Sequence, residues 1–390
     1  MDQACQSRVL AFQQRMADQG LDLALLADAD SIVYFSGYAN YLAMDFGRPT
    51  LLGLLRDGAP VLITPAMEAE MAKAMTGLAA VEAWSDGENG EWRSPLARLV
   101  EASKARRIGI ETGKTHPLIA AEIAATAARQ NSSLEDVTPL VGALRMIKSP
   151  EELAVMAQAG QVAVAMGAAG RAAIGEGVPE YEVALAVIAG GTRKAAELLD
   201  GAAGADPADI FCSPTIHNLQ VLQSGAHTCM VHRRSSVRRI ERGDPVYLCF
   251  CGIANFRHFK LGFDREFWVG SVSDEQARAY ETVVEAQQAA LAEIRPGALA
   301  KDVHAAAEEV YRSSGYGPAY RTGRGIGYSF LETPELKRGD ETRLQAGMTF
   351  AVDGGLGVPG RFGARIGDSI AVTADGFAYL TDFPRALAVL

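Results

Sequence analysis

ALRMIKSPEELAVMAQAGQVAVAMGAAGRAAI, residues 143–174, divides this chain in two. Ser149 is placed to cap a helix, Pro150 fits its first helical position, and Glu152 reaches back three residues on, a capping box ahead of a long Ala-rich run. The domain boundary falls just before that helix, giving domains 1–145 and 146–390. On the N-terminal side, helix-like VLAFQQRMADQG, apolar LDLALLA and TLLGLLRDGAPVLITP, helix-like SPLARLVEASKA, strand-like RRIGIE and helix-like THPLIAAEIAATAARQ alternate, which predicts a small α/β domain. Arg56-Asp57-Gly58-Ala59-Pro60 between two apolar stretches predicts a hairpin turn. On the C-terminal side, helical segments precede four strand-like stretches, PVYLCFCGI, HFKLGFDREFWVG, MTFAVDGGLG and ARIGDSIAVTADG. The fold class expected there is α+β.

With 390 residues, 48% of them hydrophobic, the chain has enough apolar mass for two cores. A net charge of −10 gives no global electrostatic reason to bind nucleic acid or an anionic membrane surface. Five cysteines, at 5, 212, 229, 249 and 251, make a poor disulfide framework and are expected to be reduced. The polar start MDQACQSRVLAF argues against a signal peptide or spanning helix, so a cytoplasmic protein is expected, with a small molecule as partner.

The chemistry concentrates in YRTGRGIGYSFLETP, residues 320–334, where Gly323, Gly325 and Gly327 allow close backbone approach. A dinucleotide fingerprint needs G-x-G-x-x-G opening a helix after a strand, and a P-loop ends in Gly-Lys-Ser/Thr; neither pattern is met. A second motif is C-x-C at Cys249 and Cys251, whose thiols share a strand face and, with His258, offer a replacement metal site. Two small buried residues would give the same pattern.

Over nearly the whole length the chain resembles the pita-bread superfamily of methionine aminopeptidase, prolidase, aminopeptidase P and creatinase. RMIKSPEE resembles that family's inter-domain junction, and GYSFLETP, LQAGMTFAVDGG and GARIGDSIAVTADG follow in the order of its catalytic domain. The resemblance implies a pita-bread domain behind a creatinase N-terminal-like domain. In the metallopeptidases these stretches supply two Asp, a His and two Glu to a metal pair. Here the matching positions hold Cys249, Gly262, Arg324, Asp353 and Gly367. A guanidinium stays protonated and has no free lone pair, so the expectation is that the pair is lost, with no metal and no cofactor.

FGRP (46–49), ARRIGIE (105–111), VPEYEVAL (178–185), QSG (223–225) and YRT (320–322) are similar to stretches of creatinase, the metal-free member. By that resemblance His232 is the proton shuttle, with His227 its rival, and Asp264 and Asp353 hold a cationic substrate group. Phe46 and Arg48 would reach the neighbouring site of a homodimer. Arg324 and Glu332 would bind substrate, because the creatine-binding arginine matches Leu331. A histidine near its unperturbed pKa of about 6.5 suits proton exchange with an attacking water. The leading expectation is therefore a metal-independent hydrolase of a creatine-like guanidine or ectoine-like cyclic amidine. The alternatives are an Xaa-Pro dipeptidase-type metallopeptidase and a non-catalytic binding protein.

Overall fold

The computed structural model describes residues 3–39, 42, 47–78, 80–200, 212–216, 221–317 and 320–390. The chain divides into two compact units, Met1–Leu144 and Arg145–Leu390.

The first unit alternates helices and strands in the order α1 (Gln3–Gln19), β1 (Leu23–Leu26), α2 (Ala29–Ser36), β2 (Leu51–Leu55), β3 (Val61–Pro65), α3 (Ala69–Thr76), β4 (Ala80–Trp84), α4 (Arg93–Ser103), β5 (Arg107–Ile110), α5 (Pro117–Arg129), β6 (Ser133–Asp136) and α6 (Thr138–Arg145). Its six strands form one mixed sheet, β4-β3-β2-β1-β5-β6. The turn at Arg56–Pro60 joins β2 and β3 as an antiparallel hairpin. Strands β1, β5 and β6 run parallel, and α5 supplies the β5–β6 crossover. Leu23, Leu25, Ile63, Leu96, Ile108 and Ile123 meet in one apolar core.

The second unit begins on α7 (Pro150–Ala173), whose capping box forms as the sequence predicts: Ser149 Oγ accepts from Glu152 N, and Glu152 Oε2 accepts from Ser149 N. By length and composition α7 could cross a membrane, yet it packs Met156, Ala159, Gly160, Val162, Ala163 and Met166 into the interior. Its small residues let α8 (Glu180–Asp200) come close, Gly190 lying against Ala165 and Ala169. Then follow β7 (Val221–Ser224), β8 (Pro245–Cys249), β9 (Asn255–Phe256), β10 (Phe259–Lys260), β11 (Asp264–Trp268), α9 (Asp274–Ala292), α10 (Ala300–Ser314), β12 (Gly323–Gly325), β13 (Glu332–Leu336), β14 (Thr349–Val358), β15 (Phe362–Val372) and β16 (Phe377–Tyr379). Strands β13-β12-β14-β15-β11-β8-β7 make an antiparallel sheet with β16 beside β15, so the α+β architecture holds for this unit.

Side chains alternate across a strand, and β14, β15 and β11 are buried on both faces for nearly all their length. One face is closed by α9 and α10 over Phe350, Val352, Ile366 and Ile370. On that side Arg265 spends all five guanidinium N–H donors, on the carbonyls of Asp264, Gly367, Phe383 and Pro384 and on Asp368 Oδ1. The opposite face carries the polar residues that form the site.

Helix α7 passes so close to the C-terminal segment that a Cβ on Gly160 would lie inside the van der Waals radius of the Leu380 carbonyl. Gly160→Ala is therefore expected to destabilise the second unit by at least about 2 kcal/mol in urea unfolding. Gly175→Ala meets only Val178 Cγ2 at 3.5 Å and should stay within about 0.5 kcal/mol of the parent. Equal effects would show that the helix shifts freely.

Candidate functional site

Alternation along three paired strands builds the site. Asp264 on β11 stands opposite Cys249 on β8 and Gly367 on β15, and Gly367 in turn stands opposite Asp353 on β14. Gly367 leaves a gap between the two carboxylates. A Cβ there would meet Asp353 Oδ1 at 2.8 Å and Asp264 Oδ2 at 2.9 Å, so both acids face one small space.

Arg324, on β12, fills the middle of this face and is 3% exposed. Its Nη1 donates to Asp353 Oδ2, Nη2 donates to Cys251 Sγ at 3.2 Å, and Nε donates to the Phe330 carbonyl. The Phe330 ring covers the guanidinium at 4.2 Å. Burial works against the charge, but Asp353, Cys251 and Asp264 outweigh it and hold Arg324 firmly cationic. The guanidinium fits because residue 262 has no side chain: a Cβ there would come within 2.9 Å of Nη2.

Cys251 Sγ also lies 3.4 Å from Asp264 Oδ1, and Cys249, Cys251 and Asp264 each place a ligand atom within 4.8 Å of the other two. His258, the third member of the alternative metal reading, sits with positive φ in the turn between β9 and β10 and is not in the cluster of Cys249, Cys251 and Asp264. It is Cys251 rather than Cys249 whose sulfur meets the guanidinium. Burial, then the charge of Asp353, raises the Asp264 carboxyl to about 6. The hydrogen bond with Cys251, followed by burial and Asp264, pushes the Cys249 thiol up.

Farther along the same face, Arg365 lies over the Tyr247 ring at 5.0 Å, and its Nη1 donates to the Thr228 carbonyl. Its Nε and Nη2 are buried without a hydrogen-bond partner among the described residues, as is Asp353 Oδ1. Burial raises the neighbouring Glu266 carboxyl to about 8. Arg365 was not singled out by motif reading; the signal for it was its place two residues before Gly367, on the same strand face.

The remaining expected site residues fall elsewhere. Glu332 is not free for substrate: Oε1 accepts from Arg145 and from Ser329 N, and Oε2 accepts from Lys148 Nζ at 2.8 Å. Its role is to fix the first residues of the second unit to β13. His232 is exposed, with no hydrogen bond to Asp264 or Asp353. His227 is half-buried, and its Nδ1 has no partner among the described residues. Arg48 pairs with Asp86 at 2.8 Å within the first unit. Phe46 lies outside the described residues.

Residues 154–374 match metallopeptidase family M24, and residues 8–147 match the creatinase/prolidase N-terminal domain. Similar chains include the agropine synthesis cyclase of Rhizobium rhizogenes, 31% identical with 98% of this chain and 96% of that one covered. The Xaa-Pro dipeptidase of Pyrococcus furiosus is 28% identical over 95% of this chain and 97% of its own. Among solved structures, the prolidase from Thermococcus sibiricus superposes with a TM-score of 0.84 at 26% identity, covering 100% of both chains. The chain belongs to metallopeptidase family M24.

These relatives overturn the expectation of a metal-independent hydrolase of creatine-like guanidines or ectoine-like amidines. Xaa-Pro dipeptidases and prolidases span the chain, and they match the dipeptidase alternative better. The ligand pattern of a metal pair is nevertheless not met by these residues. Arg324 occupies the space with a permanent charge, no side chain exists at 262 or 367, and one oxygen of Asp353 is already held by the guanidinium.

Glu332 gives the site a measurable pH signature. Burial alone would raise its carboxyl, but Lys148 and Arg145 outweigh burial and lower it to about 2 from an ordinary 4.5. The stability this contributes is complete above pH 4.5 and is lost as pH falls through about 2, on the order of 3 kcal/mol. Urea unfolding from pH 5 down to about pH 2 is expected to show that decline, and Glu332→Gln is expected to flatten it. Parallel pH curves for the two proteins would refute the assignment.

Proposed function

We propose that this chain is a hydrolase of the dipeptidase type, acting on a small peptide-like substrate in the pocket of Asp353, Asp264, Arg324 and Arg365. The observation that carries this reading is a pair of buried, unpartnered sets of polar atoms on one sheet face of an M24 chain: the acceptor Asp353 Oδ1 and the donors Arg365 Nε and Nη2. Similarity to Xaa-Pro dipeptidases along 95% of the chain supports it.

The two sets have complementary uses. Arg365 suits a substrate carboxylate or the oxyanion of a tetrahedral intermediate, since donors fixed in a dry site need no reorganisation as charge develops. Asp353 is fixed by Arg324 through Oδ2, which leaves Oδ1 to accept a proton from water. The hydroxide adds to the amide carbon, the C–N bond breaks, and the proton passes to the leaving nitrogen. Arg324 holds Asp353 by its Oδ2 and is a positioning residue. The same reading carries a homodimer, which light scattering tests.

A second reading, ring closure, is favoured by the 31% identity to a cyclase. The two part on the product: hydrolysis adds water and releases two fragments, whereas ring closure by condensation releases water and keeps the substrate's carbon skeleton in one piece.

The full chain is to be assayed on Xaa-Pro and other dipeptides by amino-acid release. Cleavage is expected, with Asp353→Asn lowering kcat by about 10²–10⁴-fold. Arg365→Lys is expected to act mainly on KM. A folded protein that cleaves none of the panel, or an Asp353→Asn variant with undiminished kcat, would sink the proposal.

A further inference from the structure

We propose that Cys249, Cys251 and Asp264 form a mononuclear zinc-class site, with two thiolate sulfurs and one carboxylate oxygen as ligands and the fourth position open to the pocket. The ligand set differs from the two-Asp, one-His, two-Glu pattern of a metal pair, and no resident motif of the family predicts it.

Geometry carries the assignment. Around a zinc ion bound at about 2.3 Å to sulfur, the edges of a tetrahedron are about 3.7 Å long. Cys251 Sγ and Asp264 Oδ1 are already 3.4 Å apart, and all three ligand atoms lie within 4.8 Å of one another. The backbone fixes them in place. Asp264 and Cys249 are directly opposed across the β11–β8 ladder, and the turn that follows β8 brings the sulfur of Cys251 to the same cluster. Little movement separates this arrangement from a closed ligand set.

The surroundings fit as well. Arg324 Nη2 donates to Cys251 Sγ, the outer-shell hydrogen bond that orients a thiolate and moderates its charge. Gly367, opposite Asp264, brings no side chain against the cluster, where a Cβ would come within 2.9 Å of Asp264 Oδ2. Two sulfurs select zinc or cobalt over magnesium, calcium or manganese, which prefer all-oxygen ligands. Binding replaces the two thiol protons with the ion, and the protons leave to solvent.

The test uses full-length protein purified without affinity metals or chelator. Elemental analysis should find close to one zinc per chain. After exchange with Co²⁺, a near-ultraviolet sulfur-to-cobalt charge-transfer band should appear. Cys249→Ser and Cys251→Ser should each weaken cobalt binding at least about ten-fold, whereas Cys229→Ser, outside the cluster, should not. Circular dichroism checks that each variant is folded.

A folded, reduced protein that takes up neither zinc nor cobalt overturns the site. So does metal binding that survives both substitutions, or two ions per chain. The outcomes are separable from those for catalysis. One bound zinc with no dipeptide turnover supports the site and removes the hydrolase reading. Turnover by a parent protein that binds neither metal does the reverse.

Discussion

A guanidinium that is 3% exposed must be given counter-charge and hydrogen-bond acceptors where it sits, and Arg324 dictates the rest of the pocket on those terms. Asp353 supplies the charge, Cys251 and the Phe330 carbonyl supply acceptors, and the Phe330 ring covers the planar face. The position has no tolerance for a side chain at 262. Removing Asp353 alone would leave a buried cation short of its partner, and removing Arg324 alone would leave two facing acids, so the pair is fixed as a unit.

The sheet separates this demanding face from a second buried charge system. On β15, Arg365 and Gly367 face the pocket, while Ile366 and Asp368 face α9. Asp368 accepts from Arg265, Arg385, Thr381 and Gln287 and so ties β11, β15, α9 and the C-terminal segment together. Every N–H donor of Arg265 is used, whereas Arg365, on the neighbouring strand β15, has no partner among the described residues for its Nε and Nη2. Both arginines are buried in the same unit, and the difference marks which face is structural and which is open to a ligand.

Local sequence rules identified the parts of the fold that depend on local physics. Ser149, Pro150 and Glu152 specify a helix start without reference to anything distant. Glu332 was harder to read, because its partners Arg145 and Lys148 are more than 180 residues away and a buried structural acid looks the same in sequence as a ligand-binding one. The cysteines show the limit most clearly. Motif reading paired them with His258, but a hairpin turn takes His258 away, and the cross-strand register brings in Asp264 instead.

The changes in this pocket also depend on one another. A carboxylate at 262 and a guanidinium at 324 compete for the same volume, so neither is compatible with the other's partner set. Once Arg324 is present, a side chain at 251 that accepts from its Nη2 is needed beside Asp264, and a cysteine sulfur meets that requirement. With no side chain at 367, the two acids approach a common space without a third between them. Reverting any single position toward a metal-pair ligand would therefore meet an occupied volume or an unbalanced charge, and the pocket behaves as one rearranged unit rather than as a damaged copy of its relatives' site.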